Sequence, residues 1–535
     1  RLCWRVWWRE SNHHIGYEWF VDAASGEVIW RRGVTESAAD PATYRYYNTE
    51  SPTPMSPGYA TPLTNQPATV ARVLATFTSI NATASPNGWV DVGENTLLGN
   101  NSYAYYMYAT GPNSWTGHPV TGNPSRVFAF PLDLTLAPET HPEASAVNAF
   151  YWVNFAHDKL YALGFDEANR NCQETNFNRG GLGEDRVTIN ANDPSSDDNA
   201  SMTTYPEGGS VLMALGIYSG PNPDREAALD AEIVIHEYCH AMSNRLVGDG
   251  SGIDEMQSRG MGEGWSDLFA LSLTSASGDN LNGNYAKGAY ASLRMWGSDY
   301  QVNYYFGVRR YPYSTDLEKN PLTFKDIDPD QASEHTGIPM NPVLYGFSAA
   351  EVHMQGEVWC SALWECRAAL ITKLGFATGN QLMMQLVVDG LKLTPLNPTF
   401  IQARDAILQA EQADCSGTNK TVLWAAFAKR GLGVGATAPA SSTTTGVVES
   451  FDSLDNLNIT PGFGKQVAGP VGGPFKPGSA TFMLTNQSGS SLNWAAYAEP
   501  PMELSSVGSA LSAHTAQNVI ASINAAAAGT LPAGG

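Results

Sequence analysis

His236 and His240 stand four residues apart in AEIVIHEYCHAMSNRL, and this spacing constrains the fold more than any other feature of the chain. Four residues is close to one helical turn, so both imidazoles share a face only if the segment is α-helical. The predicted helix has Asn222 as N-cap, Pro223 at its first position and acidic Asp224 and Glu226 in its first turn. It runs to about Leu246, and Gly248 supplies a C-terminal stop. A second helix is expected to open near Gly262. A third is expected at Ser348, where Ser348 and Glu351 form an S-x-x-E capping signature ahead of VWCSALWECRAALITKL.

Residue types at this spacing point to metal chemistry. Neutral imidazole suits zinc, and a catalytic zinc takes three protein ligands and keeps one position open for water. Glu237 follows the first histidine and can reach that water as general base. The pattern with a third histidine needs Gly and His where Ser243 and Leu246 stand, so it fails. Downstream, GMGEGWSD places Glu263 as a third ligand opening the second helix. Asp267, one turn later on the same face, can accept the outer N–H of a ligand histidine and fix its tautomer.

Composition bounds the rest. A chain of 535 residues implies two to four domains. A net charge of −22 argues against nucleic acid and anionic membrane as partners. No apolar run approaches the roughly 20 residues that span a bilayer. The chain starts at Arg1 and ends in glycines, and it reads as a fragment of a longer precursor. Six cysteines form no C-x2-C pair, so a thiolate zinc site is not expected; Cys239 is expected as a buried free thiol.

Residues 18–32 alternate apolar and polar around Ser25-Gly26 and predict a β-hairpin, followed by a polar linker, GVTESAADPAT. Residues 46–220 predict strands and long loops, with one helix over 144–163. Residues 222–430 are the helical half. A Ser/Thr/Ala-rich linker over 434–449 leads to the short β-like runs TFMLTN, LNWAAYAE and NVIASINA, which suggest a small β-sandwich. The expected class is α+β.

HEYCHAMSNRL followed by GMGEGWSDLF is similar to the fungalysin family of secreted metallopeptidases, relatives of thermolysin. FYWVNFAHD, GFDEANRNCQETNFNRGGLGEDRV, RRYPYSTD, NPTFIQARDAIL and WAAFAKRGLG carry the resemblance over roughly residues 85–435. The resemblance implies zinc on His236, His240 and Glu263, with Glu237 as catalytic base. It also implies a two-lobed thermolysin-like catalytic domain, β-rich over 46–220 and helical over 221–436, acting outside the cell on polypeptides as a monomer. Residues 1–45 resemble the tail of a prodomain, 437–450 a linker, and 451–535 part of an Ig-like module of the BACON kind.

Further candidates stand beside these, some by resemblance and some by residue type. His353 resembles the histidine that stabilises the oxyanion. No tyrosine lies between His240 and Glu263, where thermolysin carries its own, so Tyr311 and Tyr345 are the candidates. Arg309 or Arg310 is expected to support Glu263 or the scissile carbonyl. Asp198-Asn199-Ala200-Ser201 resembles an edge strand on which Asn199 and the Ala200 backbone hold a peptide. A hydrophobic residue after the scissile bond is implied. His157 and Asp158 are expected to be structural. The acidic stretches NDPSSDDN and DIDPDQ offer oxygen ligands that suit calcium, without EF-hand spacing. Two other classes, a silent binding scaffold and a zinc hydrolase of non-peptide substrates, fit the intact constellation and the edge strand less well.

Overall fold

The computed structural model describes residues 2–9, 16–33, 40–111, 114–297, 300–454, 457–462, 464–487 and 491–524. Most of the expected linker at 33–43 and the chain beyond 524 lie outside these residues. The fold is mixed α/β. Its five-stranded sheet runs in the order Ala200–Thr204, Val211–Leu215, Val187–Ala191, Ser102–Gly111, Ser114–Pro119. The inner pairs are parallel and the two outer pairs antiparallel. Ala200–Thr204 is therefore an edge strand.

Eight helices are described: α1 (Pro142–Tyr161), α2 (Ala231–Leu246), α3 (Met256–Thr274), α4 (Asn303–Phe306), α5 (Val352–Leu374), α6 (Phe376–Leu393), α7 (Phe400–Cys415) and α8 (Lys420–Lys429). One continuous apolar core joins the sheet to the helices, from Ile189 and Met213 through Val234 and Leu268 to Trp359 and Phe427. Cys172, Cys239, Cys360 and Cys366 are buried free thiols in it.

α1 carries the expected His157 and Asp158. The Asp158 carboxylate accepts from Ser85 Oγ, Trp89 Nε1 and the backbone N–H of Asn81, while His157 meets Gln173. Both tie loops to the helix, a structural role.

Three helix starts differ from the sequence expectation. α2 begins at Ala231, not at Pro223. Arg225 and Glu226 pair with Tyr218 and Ile217 as a short antiparallel ladder, which commits their backbone elsewhere. Asp230 is the cap, accepting from the Glu232 N–H. α3 begins at Met256, six residues before Gly262, with Glu255 and Ser258 capping each other. α5 begins at Val352 with Glu351 as its cap, accepting from the backbone N–H groups of His353 and Met354, while Ser348 lies upstream.

The glycines near Glu263 serve packing instead of initiation. A β-carbon at Gly264 would lie 2.6 Å from the Gly356 carbonyl oxygen, and one at Gly356 would lie 2.5 Å from Glu263 Cβ. Bare backbone thus lets α3 and α5 touch, and sets Glu263 against the first turns of α5.

The segment expected as a linker is packed against the helices. Val447 joins the main core, Thr437 pairs with Val448, and Gln257 donates to the Thr443 carbonyl. At the two ends of the chain, Cys3–Arg9, Gly16–Asp22 and Val28–Gly33 form an antiparallel sheet with the turn at Ser25-Gly26. Residues 457–523 form a four-stranded and a two-stranded sheet around Leu484, Trp494, Leu511 and Val519.

Candidate metal centre

α2 presents His236 and His240 on one face, and α3 brings Glu263 opposite them. His236 Nε2 lies 3.1 Å from His240 Nε2 and 3.2 Å from Glu263 Oε2, and His240 Nε2 lies 3.6 Å from Glu263 Oε1. Ligand bonds of about 2.1 Å in a tetrahedron imply donor separations of about 3.4 Å. The three donor atoms match that spacing, and they form the one His/Cys/Asp/Glu group of this kind among the described residues. Glu263 Oε2 is buried without a well-formed hydrogen bond, as expected of an atom that awaits an ion. These residues fit a metal.

Asp267 orients the centre. Its Oδ1 takes His236 Nδ1 at 2.7 Å, which leaves Nε2 facing the donor triangle. Arg309 Nε donates to Asp267 Oδ2 at 2.7 Å and its Nη2 to Oδ1 at 3.0 Å, and the Tyr313 hydroxyl also donates. Burial opposes the charge on Asp267, but Arg309 and His236 outweigh it and hold this carboxyl well below its ordinary range. Arg309 Nη2 also lies 3.8 Å from Glu263 Oε2, so Arg309, and not Arg310, supports Glu263. Arg310 pairs instead with Glu357.

The centre opens into a cavity of about 530 Å³. Glu237 lines it beside the histidines, and burial raises its carboxyl, making it a stronger base. His353 stands at the mouth with its side chain 48% exposed. Its Nδ1 meets Glu351 Oε1 at 2.8 Å, and its Nε2 points inward, 3.5 Å from Glu263 Oε2. Partial burial works against its charge, while Glu263 and Glu351 overcome this and raise its pKa. Asn199, with Ala200, Ser201 and Met202 of the edge strand that follows it, forms another wall.

The tyrosine candidates are corrected. Tyr311 is 2% exposed with an unbonded hydroxyl, Tyr345 is an exposed surface residue, and neither lines the cavity. Tyr218 is the tyrosine that does, among the described residues. Its position in the short ladder ahead of α2 gave no sequence signal. The acidic stretches gather no ligand group among the described residues. Asp193 caps Ser195, Asp328 accepts from Gln331 and the Gly446 N–H, and Asp326 meets His335.

A helix-borne His-Glu-x-x-His, completed by a carboxylate from the next helix and opening on a cavity with a strand edge, defines the class of metal-dependent hydrolases. The chain belongs to the fungalysin metallopeptidase (M36) family, whose model matches residues 60–436. It is 36% identical over 462 residues to the extracellular metalloproteinase MEP of Pyricularia oryzae, covering 82% of this chain and 65% of that protein. It is 37% identical to the extracellular metalloproteinase mep of Aspergillus flavus, covering 68% of this chain and 55% of that one. Extracellular metalloproteinase 3 of Trichophyton soudanense is 36% identical, over 68% of this chain and 90% of its own length. The chain thus spans less than two thirds of the first two relatives. Membership implies a metal at the centre. No described helix is long and apolar enough to cross a membrane.

Proposed function

We propose that this protein is a zinc-dependent endopeptidase that works outside the cell on extended polypeptides. The observation that carries the reading is the convergence of His236 Nε2, His240 Nε2 and Glu263 on one point beside Glu237, in a cavity walled by an unpaired strand edge. The relatives' names support an extracellular setting.

When bound, zinc on His236, His240 and Glu263 supplies Lewis acidity toward a water and the scissile carbonyl. Glu237 takes the proton from the attacking water and passes it to the leaving amine. The raised carboxyl of Glu237 suits both transfers. His353, held by Glu351 with Nε2 inward, donates to the oxyanion as it develops. Arg309 and Asp267 keep His236 in the tautomer that leaves Nε2 free. A substrate strand adds to the Ala200–Thr204 edge, where the Asn199 side chain and the Ala200 backbone hold it.

The same reading treats 46–220 and 221–436 as two lobes of one catalytic unit, 1–45 as the end of a prosegment and 451–535 as an appended β module. The decisive experiment is turnover of casein by the purified protein with and without phenanthroline. Turnover abolished by the chelator and restored by zinc is expected. Turnover indifferent to the chelator would sink the reading.

A further inference from the structure

The cavity holds a cation that the chemistry above does not use. Lys287 is 5% exposed and lines the cavity with Glu237, Ile233 and Val308. Among the described residues no protein group accepts a hydrogen bond from its ammonium, which opens to the cavity. Its nearest carboxylate oxygen, Asp267 Oδ1, is 3.9 Å away, beyond hydrogen-bond range, and is already taken by His236 and Arg309.

The lysine is also held in place. Its carbonyl accepts from the Val308 N–H at 3.0 Å, and the next N–H, of Gly288, donates to Glu232 Oε2 at 2.7 Å. Gly307, at φ +60°, permits this close approach: a β-carbon there would lie 2.1 Å from the Lys287 carbonyl oxygen. Besides Glu237 and Asp267, the carboxyls that face the ammonium are Asp230 and Glu232. Burial raises both, which favours their neutral forms, and each already accepts backbone N–H groups. An ammonium on this largely buried side chain, with no protein acceptor in range, is free to take an acceptor that enters the cavity.

We propose that Lys287 is a specificity-determining residue, and that the subsite it forms with Ile233 and Val308 takes a carboxylate-tipped side chain, Glu before Asp, from a residue flanking the scissile bond. This rests on the peptidase reading. Ile233 and Val308 both approach Gly288, so they stand beside the lysine and can cover the methylenes of a glutamate. The ammonium then meets the carboxylate end. Glutamate has one more methylene to bury than aspartate, which sets the order. The subsite adjoins the scissile bond because Asp267, the nearest group to the ammonium, also holds His236. It departs from the hydrophobic side chain that the family resemblance implies.

The test is kcat/KM of the zinc-loaded protein on peptides varied at the two residues flanking the cut. At one of these positions Glu is expected to exceed Leu by about tenfold, with Lys287→Met reversing the order and Lys287→Arg keeping it. A wild-type preference for Leu or Phe that survives in Lys287→Met would overturn the proposal. So would a Lys287→Met variant that melts like wild type and loses activity equally on every peptide, since the lysine would then only position Glu237. The wild-type profile alone decides if the variants do not fold. No cleavage of casein or any peptide would instead remove the peptidase reading itself, a result distinct from a wrong preference.

Discussion

At the floor of the cavity, His236 is 3% exposed and its outer nitrogen is bound by a carboxylate that itself receives Arg309 and Tyr313. At the mouth, His353 is half-exposed and held through one carboxylate, on the first turn of α5. The floor is overdetermined, whereas the mouth has a single tether. The difference follows from the tasks. Ligand geometry tolerates errors of only a few tenths of an ångström, while a donor to a transient oxyanion must meet a substrate that arrives from solvent.

Breaking the floor should cost most. Glu237→Gln is expected to keep zinc and lose turnover by at least ~100-fold, since the proton acceptor is gone while the donor triangle stands. Metal content by mass spectrometry, together with peptide kinetics, checks both halves. Normal turnover in that variant would take Glu237 out of the mechanism.

Asp267→Asn comes next. Loss of the charge that orients His236 and pairs with Arg309 should weaken zinc binding about 10–100-fold. Competition with a chromogenic chelator measures it, and unchanged affinity would show that Asp267 holds only the fold.

At the mouth, His353→Phe should lower kcat and kcat/KM together by about tenfold, with KM and zinc content unchanged. The sign of the pH effect follows from the raised pKa. The protonated donor is present at low pH and is lost as pH rises through a value above 6.5, so wild-type activity has an alkaline limb that the variant lacks. A rise in KM with kcat intact would make His353 a binding residue.

The smallest effect on turnover, with a change in stability in its place, lies away from both floor and mouth. Burial lifts the Glu226 carboxyl to about 8, against an ordinary 4.5, despite hydrogen bonds from the Asn192 and Ala228 N–H groups. The folded protein therefore keeps a proton that the unfolded chain releases. The resulting stability is complete below about 4.5 and is lost as pH climbs through about 8. Glu226→Gln should be more stable than wild type at pH 8, by up to about 4 kcal/mol at about 1.4 kcal/mol for each pH unit between 4.5 and 8, with no gain at pH 4. Urea unfolding at the two pH values tests this, and an equal shift at both would disprove the linkage.

The floor was legible in the sequence because its residues obey local rules. Histidines four apart on a helix share a face, and Glu263 and Asp267 repeat that spacing on the next helix. The resemblance supplied His353, whereas Arg309 and Arg310 stood as equal alternatives that only the packing of Arg309 on Asp267 and of Arg310 on Glu357 separates. Helix starts were less legible. Asp230 caps α2 with no pattern beyond its residue type, and the Gly260–Gly264 cluster looked like a beginning when it was a contact. Tyr218 and Lys287 were invisible for a different reason. Both reach the cavity through backbone pairing of irregular segments, Tyr218 with Arg225 in a short local ladder and Lys287 with Val308 farther along the chain, which no periodicity records.

The bare contact between α3 and α5 has one more consequence. Glu263 and His353 ride on helices that meet through Gly260, Gly264 and Gly356, whose bare backbone sits directly against Gln355, Trp359 and Glu263. The two behave as jaws of one fixed gauge. Room for an incoming chain must come from the opposite wall, where Ala200–Thr204 is bonded along one edge only.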